Sequence, residues 1–197
     1  MNIILASQSP RRKELLNKIG LNFKIIPSDF DESKIQFNGS PEEYCEELAF
    51  KKAEKIATNF KNDLIIGADT IVELNGELLP KPKNLDEAKQ FLTSLNGKTH
   101  QVFTGISIIL NQQKSTFNEC TSVTFNSLID SEFDYYIENF NPLDKAGAYG
   151  IQDWSSVFVR KIHGCYFNVM GFPISKFYNE LKKISPITIE NLLVTKT

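Results

Sequence analysis

Asn2-Ile3-Ile4-Leu5-Ala6-Ser7-Gln8-Ser9-Pro10-Arg11-Arg12-Lys13-Glu14-Leu15-Leu16 is a short apolar run that feeds directly into a helix start. The run predicts a strand. Ser9 suits the N-cap and Pro10 the first helical position, where no N–H is needed. Leu15, Leu16 and Ile19 supply an apolar face, and Gly20 is placed to end the helix. A helix N-terminus offers unpaired N–H groups and partial positive charge, so arginines in its first turn run against the dipole. Two readings of Arg11 and Arg12 stand: a phosphate site without a Walker loop, or two solvated arginines on a surface helix.

The same mixture of strands and helices continues along the chain. Phe23–Pro27 predicts a strand, and Ser40-Pro41-Glu42-Glu43 a capping box opening a helix to about Phe60. Asp63–Thr70 reads as a buried strand, and Ile71–Leu74 and Glu77–Leu79 flank Asn75-Gly76, the strongest short hairpin signal. Asn84 caps a helix whose stripe is Ala88, Phe91, Leu92 and Leu95. His100–Leu110 and Ser115–Phe125 predict a long hairpin through Asn111-Gln112-Gln113. Ser131–Phe140 and Pro173–Ile184 read as helices, Val157–Ile162 and Tyr166–Met170 as strands, and the final dozen residues give no clear signal. The fold class expected is α/β: a mixed twisted sheet with long antiparallel hairpins flanked by helices, in two lobes around a central cleft.

The chain has 197 residues and a formal charge of -2, from 22 basic and 24 acidic side chains. That length fits one domain, 1–197, and the balanced charge calls for neither nucleic acid nor a membrane surface. Cys45, Cys120 and Cys165 are too widely spaced for a zinc motif or a disulfide framework and point to free thiols in a reducing compartment. The opening residues fit neither a signal peptide nor a spanning helix, so the expected location is the cytoplasm. No GxxxxGK[ST], HExxH, CxxC or GxSxG occurs, which sets aside P-loop kinases, zincins and α/β-hydrolases.

Several residues carry chemical promise. Asp69 ends a buried strand beside Gly67 and Ala68, a costly place for a carboxylate without a metal, a cation or a donor. Lys52 lies between Leu48 and Ile56 on one helical face, an unusual place for a lysine unless its stem packs and its ammonium snorkels to water. Lys81 is fixed between Pro80 and Pro82. Asp31 and Glu32 form a carboxylate pair suited to a hard cation, or are simply solvated. The loop Ala146–Gln152 is rich in small residues, and Gln152 offers both a donor and an acceptor, as a nucleobase edge requires. His100 and His163 are too few and too scattered for a metal cluster.

Taken in order, these segments resemble the Maf-like nucleoside-triphosphate pyrophosphatases. The resemblance rests on Leu5–Arg12, Asp31-Glu32, Leu48-Ala49 with Lys52-Ala53, Gly67–Thr70, Lys81-Pro82, and His100–Val102 with Thr104. It continues through Lys145–Gln152 and Asn168–Gly171 with Pro173. It implies hydrolysis of dTTP and UTP to the monophosphate and pyrophosphate, and it leaves room for modified pyrimidine nucleotides. Asp69 would be the general base, Glu32 and Asp69 the ligands of magnesium or manganese, and Ser7, Arg11, Arg12, Lys52, Thr70, Lys81 and Gln152 the substrate contacts. Arg11, Thr70 and Gln152 would select the base. The resemblance also suggests a homodimer. An alternative it carries is a nucleotide-binding regulator of septum formation with little turnover. Two positions depart from the family pattern, Pro80 and Asp153, where glycine is usual. Pro80 is expected to re-aim Lys81, and Asp153 to add negative charge near an anion site.

Overall fold

Chain reversals at asparagine set the hairpins. Asn75 and Gly76 take φ of 54° and 87°, and Asn111 takes 54°, the left-handed geometry of tight turns that asparagine and glycine tolerate. The computed structural model of the chain describes residues 1–194. Its elements, in chain order, begin with β1 (Ile3–Leu5), α1 (Pro10–Lys18), β2 (Lys24–Ile25) and a 3-10 turn at Glu32–Lys34. Then come α2 (Pro41–Ala57), β3 (Leu64–Leu74), β4 (Glu77–Leu79), α3 (Leu85–Leu95), β5 (Thr99–Leu110), β6 (Gln113–Phe125) and α4 (Asp130–Asn139). The last are β7 (Val159–His163), α5 (Tyr166–Val169), α6 (Ile174–Ile184) and α7 (Pro186–Val194), with 3-10 turns at Ala146–Ala148 and Trp154–Phe158 ahead of β7.

The strands pair in the order β2-β1-β3-β5-β6-β7, with β4 on β3. β1 runs parallel to both neighbours, Ile4 opposite Lys24 and Ile65, whereas β4 and β7 pair antiparallel with β3 and β6. The sheet is therefore mixed, as expected of an α/β chain with long hairpins.

Contacts divide the chain into two compact units. The first comprises Met1–Asp69, Thr104–Glu119 and the segment from Gly171 onward; the second comprises Thr70–Phe103 and Cys120–Met170. In the first, Ile4, Ala6, Ala53, Ile56 and Ile65 form a buried cluster between α2 and the parallel strands. In the second, the core is aromatic: His100, Phe125 and Tyr149 meet edge to face, and Phe133, Tyr136 and Phe158 extend the group.

Several local expectations needed correction. Tyr166–Val169 is helical rather than extended. Gly164, at φ 131°, turns the chain after β7, and the buried Asn168 amide donates to the Val102 carbonyl and Thr121 Oγ1, both at 2.9 Å. These tertiary bonds hold a turn of helix that the aromatic composition disfavours. Residues 157 and 158 belong to a 3-10 turn rather than to β7. Ser40 caps α2 through the Glu43 N–H, but the Glu43 carboxylate meets Asn38 instead of closing a capping box. The final residues form α7, with 195–197 outside the described residues.

His100 shows what the aromatic core costs. Its Nε2 lies 2.8 Å from Tyr149 Oη, and burial pushes its pKa down to about 4. The unfolded ring titrates near 6.5, so the folded chain binds fewer protons between those values. The stability contributed by the neutral ring is present above pH 6.5 and lost as pH falls through 4. The expected loss is about 3 kcal/mol. Urea melts from pH 7 to 4 should show this slope, and His100→Gln should flatten it.

Candidate active site

The start of α1 is held by its own side chains. Ser9 Oγ accepts the Arg12 N–H, and Ser7 Oγ lies 3.2 Å from the Ser9 N–H and 3.1 Å from the Arg12 guanidinium. Arg12 Nε donates to the Gly171 carbonyl at 3.1 Å. Arg12 is buried, and Ser7 with it. The solvated-arginine reading therefore fails for Arg12. Burial lowers the pKa of its guanidinium; Asp69 and Glu32 oppose that shift, and Arg11 adds to it. Arg11 is half-buried in the same turn.

Lys52 is placed by the seating of α2. A Cβ on Gly67 would sit 2.2 Å from the Ala49 carbonyl oxygen, and one on Gly105 would sit 2.2 Å from that of Cys45. Both strands thus meet the helix backbone to backbone. Lys52 Nζ then reaches Asp69 Oδ1 in a short hydrogen-bonded ion pair and lies 2.7 Å from Glu32 Oε1. The Lys52 and Asp69 side chains are 12% and 10% exposed. The lysine does not snorkel; it neutralises a buried carboxylate, the arrangement such a carboxylate needs. Burial, then Asp69 and Glu32, push the Tyr44 phenol up, as expected beside two carboxylates.

The Asp31-Glu32 pair does not act together. Asp31 Oδ1 caps the 3-10 turn, accepting from Ser33 N–H at 3.2 Å and Oγ at 2.6 Å, and these bonds lower its pKa. Only Glu32 turns to Lys52. Glu32 and Asp69 converge on one cationic group, and among the described residues no set of three or more His, Cys, Asp or Glu side chains is arranged around a metal-sized site. Two carboxylates with further oxygens from water and phosphate are the donor set that magnesium or manganese takes in nucleotide chemistry, so these residues fit such an ion.

Thr70, Lys81 and Gln152 belong to the second unit. Thr70 follows Asp69 on β3 and is half-buried; Lys81 and Gln152 are exposed. Pro80 accepts the Gly147 N–H at 3.3 Å through its carbonyl. The departure at Pro80 thus keeps an acceptor for the loop that carries Gln152. The negative charge of Asp153 is not loose: Lys145 Nζ lies 3.5 Å from its Oδ2. No local signal marks the Gly171 carbonyl as the Arg12 acceptor, since 159 positions separate them.

A family model for Maf-like proteins matches residues 2–184. The chain belongs to the Maf-like family. A Clostridium tetani protein named dTTP/UTP pyrophosphatase is 48% identical over 188 residues, covering 93% of this Maf-like chain and 98% of that protein. A Thermotoga maritima protein of the same name is 45% identical over 183 residues, covering 92% and 88%. Among solved structures, the Staphylococcus aureus Ham1 protein aligns with 64% of this chain and 72% of its own, at a TM-score of 0.45 and 21% identity. No helix among the described residues of this Maf-like chain is long and apolar enough to cross a membrane.

The close seating of α2 gives a direct test. Gly67→Ala drives a methyl into the Ala49 carbonyl and the Ala53 backbone. It should cost about 3 kcal/mol or more, read in thermal melts as a fall of roughly 6–12 °C in Tm.

Proposed function

We propose that this chain hydrolyses dTTP and UTP to the nucleoside monophosphate and pyrophosphate. The observation that carries the reading is the buried Asp69 carboxylate held against Lys52, with Glu32 on the same ammonium. Membership of the Maf-like family and relatives named dTTP/UTP pyrophosphatase support it. Modified pyrimidine nucleotides fall within the same chemistry.

In this reading water attacks the α-phosphorus, the Pα–O–Pβ bond breaks and pyrophosphate leaves. Asp69, with Oδ1 facing Lys52, accepts the proton of the attacking water, which is general-base catalysis. Lys52, Arg11 and Arg12 offset the growing charge on the phosphate oxygens, and the first turn of α1 adds N–H donors. Ser7 holds Arg12 at its working position. Glu32 and Asp69 would hold magnesium or manganese, which when bound supplies neutralisation of phosphate charge. Thr70, Gln152 and Arg11 are assigned to the base, and Lys81 to the phosphates. We further assign the chain to the cytoplasm, as one functional domain that forms a homodimer; its three cysteines are free thiols, in keeping with a reducing compartment.

Pyrophosphate release from dTTP, UTP, CTP and 7-methyl-GTP, with magnesium or manganese, tests the reading. Turnover should be confined to dTTP and UTP, and Asp69→Asn should lower kcat by about two to four orders of magnitude. A folded Asp69→Asn variant with wild-type kcat would remove Asp69 as the base. Nucleotide binding without any release would favour the regulator of septum formation instead.

A further inference from the structure

The loop between Lys145 and Asp153 is closed on itself. Lys145 is buried, with Nζ bonded to the Asn141 carbonyl, 3.1 Å from Asp144 Oδ1 and 3.5 Å from Asp153 Oδ2. Its stem passes over Gly150: a Cβ there would lie 2.8 Å from Lys145 Cε and 2.9 Å from Asp153 Oδ2. The two residues that bracket the loop therefore meet above its middle.

Asp153 secures the other side. Its Oδ1 accepts from the Ser155 N–H at 3.0 Å and lies 2.7 Å from Ser155 Oγ. Ser155 Oγ in turn accepts the Gly150 N–H at 3.1 Å and sits 2.8 Å from the Gly150 carbonyl. The Asp153 N–H donates to that carbonyl at 3.0 Å, and Tyr136 Oη donates to Asp153 Oδ2 at 3.4 Å. Within the loop, Gly147 and Ala148 take φ of 65° and 64°. An alanine keeps that conformation only where its surroundings fix it. Tyr149 is tied to His100. Gln152 stands exposed at the end of this closed ring, next to Asp153 in the chain.

We propose that Asp153 is a positioning residue that, through its clasp with Lys145 and Ser155, holds Gln152 ready to read the pyrimidine base. The proposal rests on the dTTP/UTP reading above. It answers the expectation from sequence that Asp153 adds negative charge near an anion site, because that charge is already paired with Lys145 and its oxygens are already bonded. A loop ordered before the nucleotide arrives loses less freedom on binding, which lowers KM and leaves the chemical step alone.

The test is steady-state kinetics on dTTP and UTP with Asp153→Gly, which installs the residue usual in the family, and with Asp153→Asn, which keeps the shape and an acceptor. Asp153→Gly should raise KM for both nucleotides by about 3- to 10-fold with kcat within about 2-fold. Asp153→Asn should fall between it and wild type. Lys145→Met should raise KM similarly, and the double variant Lys145→Met/Asp153→Gly should add little, as expected for one coupled pair. A role in stability alone would lower Tm while leaving KM at wild-type values below the melting range. That result, or a KM that falls in Asp153→Gly, would overturn the clasp while the dTTP/UTP reading stands. A wild-type chain that releases pyrophosphate from neither nucleotide would overturn both.

Discussion

The approach of α2 to the sheet at backbone contact is the constraint on which the rest of the first unit depends. Gly67 and Gly105 have no side chains to hold the helix away, and the carbonyls of Ala49 and Cys45 occupy that space. Core packing is intolerant of added volume, so the helix has one seat. Because Lys52 is carried on that helix and Asp69 on the strand beneath it, the distance between ammonium and carboxylate is set by packing rather than by the flexible reach of the lysine. A lysine has many rotamers to lose on ordering; here its stem is fixed by the seat of the helix.

Charge balance follows from that seat. Lys52 faces Asp69 and Glu32, and the Arg12 guanidinium interacts electrostatically with both carboxylates. Buried charges left alone are costly, and paired ones with satisfied hydrogen bonds are tolerated. The site therefore keeps Lys52 and Arg12 in a low dielectric, where each faces the Asp69 and Glu32 carboxylates. The same logic recurs in the second unit, where the buried Lys145 faces Asp144 and Asp153.

Much of this was legible in the sequence, for physical reasons. Turn asparagines, N-cap residues and the Gly20 stop act locally, so the hairpin at Asn75-Gly76 and the ends of α1 and α3 could be read from neighbours alone. Tyr166–Met170 could not. Its aromatic and branched residues favour extension, and its own Asn168 amide, bonded to the distant Val102 and Thr121, holds the helix instead. The candidate residues emerged as types at plausible places, but their partners did not. Periodicity put Lys52 on an apolar face without saying which anion it met, and it could not separate Asp31, spent on a turn, from Glu32. Asp153 stood out only as a departure, and its pairing with Lys145 depends on how the loop closes.

Arg12 is seated by a carbonyl 159 residues further along the chain, at Gly171. A ribosome that has made the first 69 residues has already supplied Ser7, Arg11, Arg12, Glu32, Lys52 and Asp69, but not the group that orients Arg12. Nor has it supplied Gly105, against which α2 lies. The nascent chain therefore carries these side chains long before the groups that seat them. The hydrogen bond that orients Arg12 closes only once Gly171 has joined the chain.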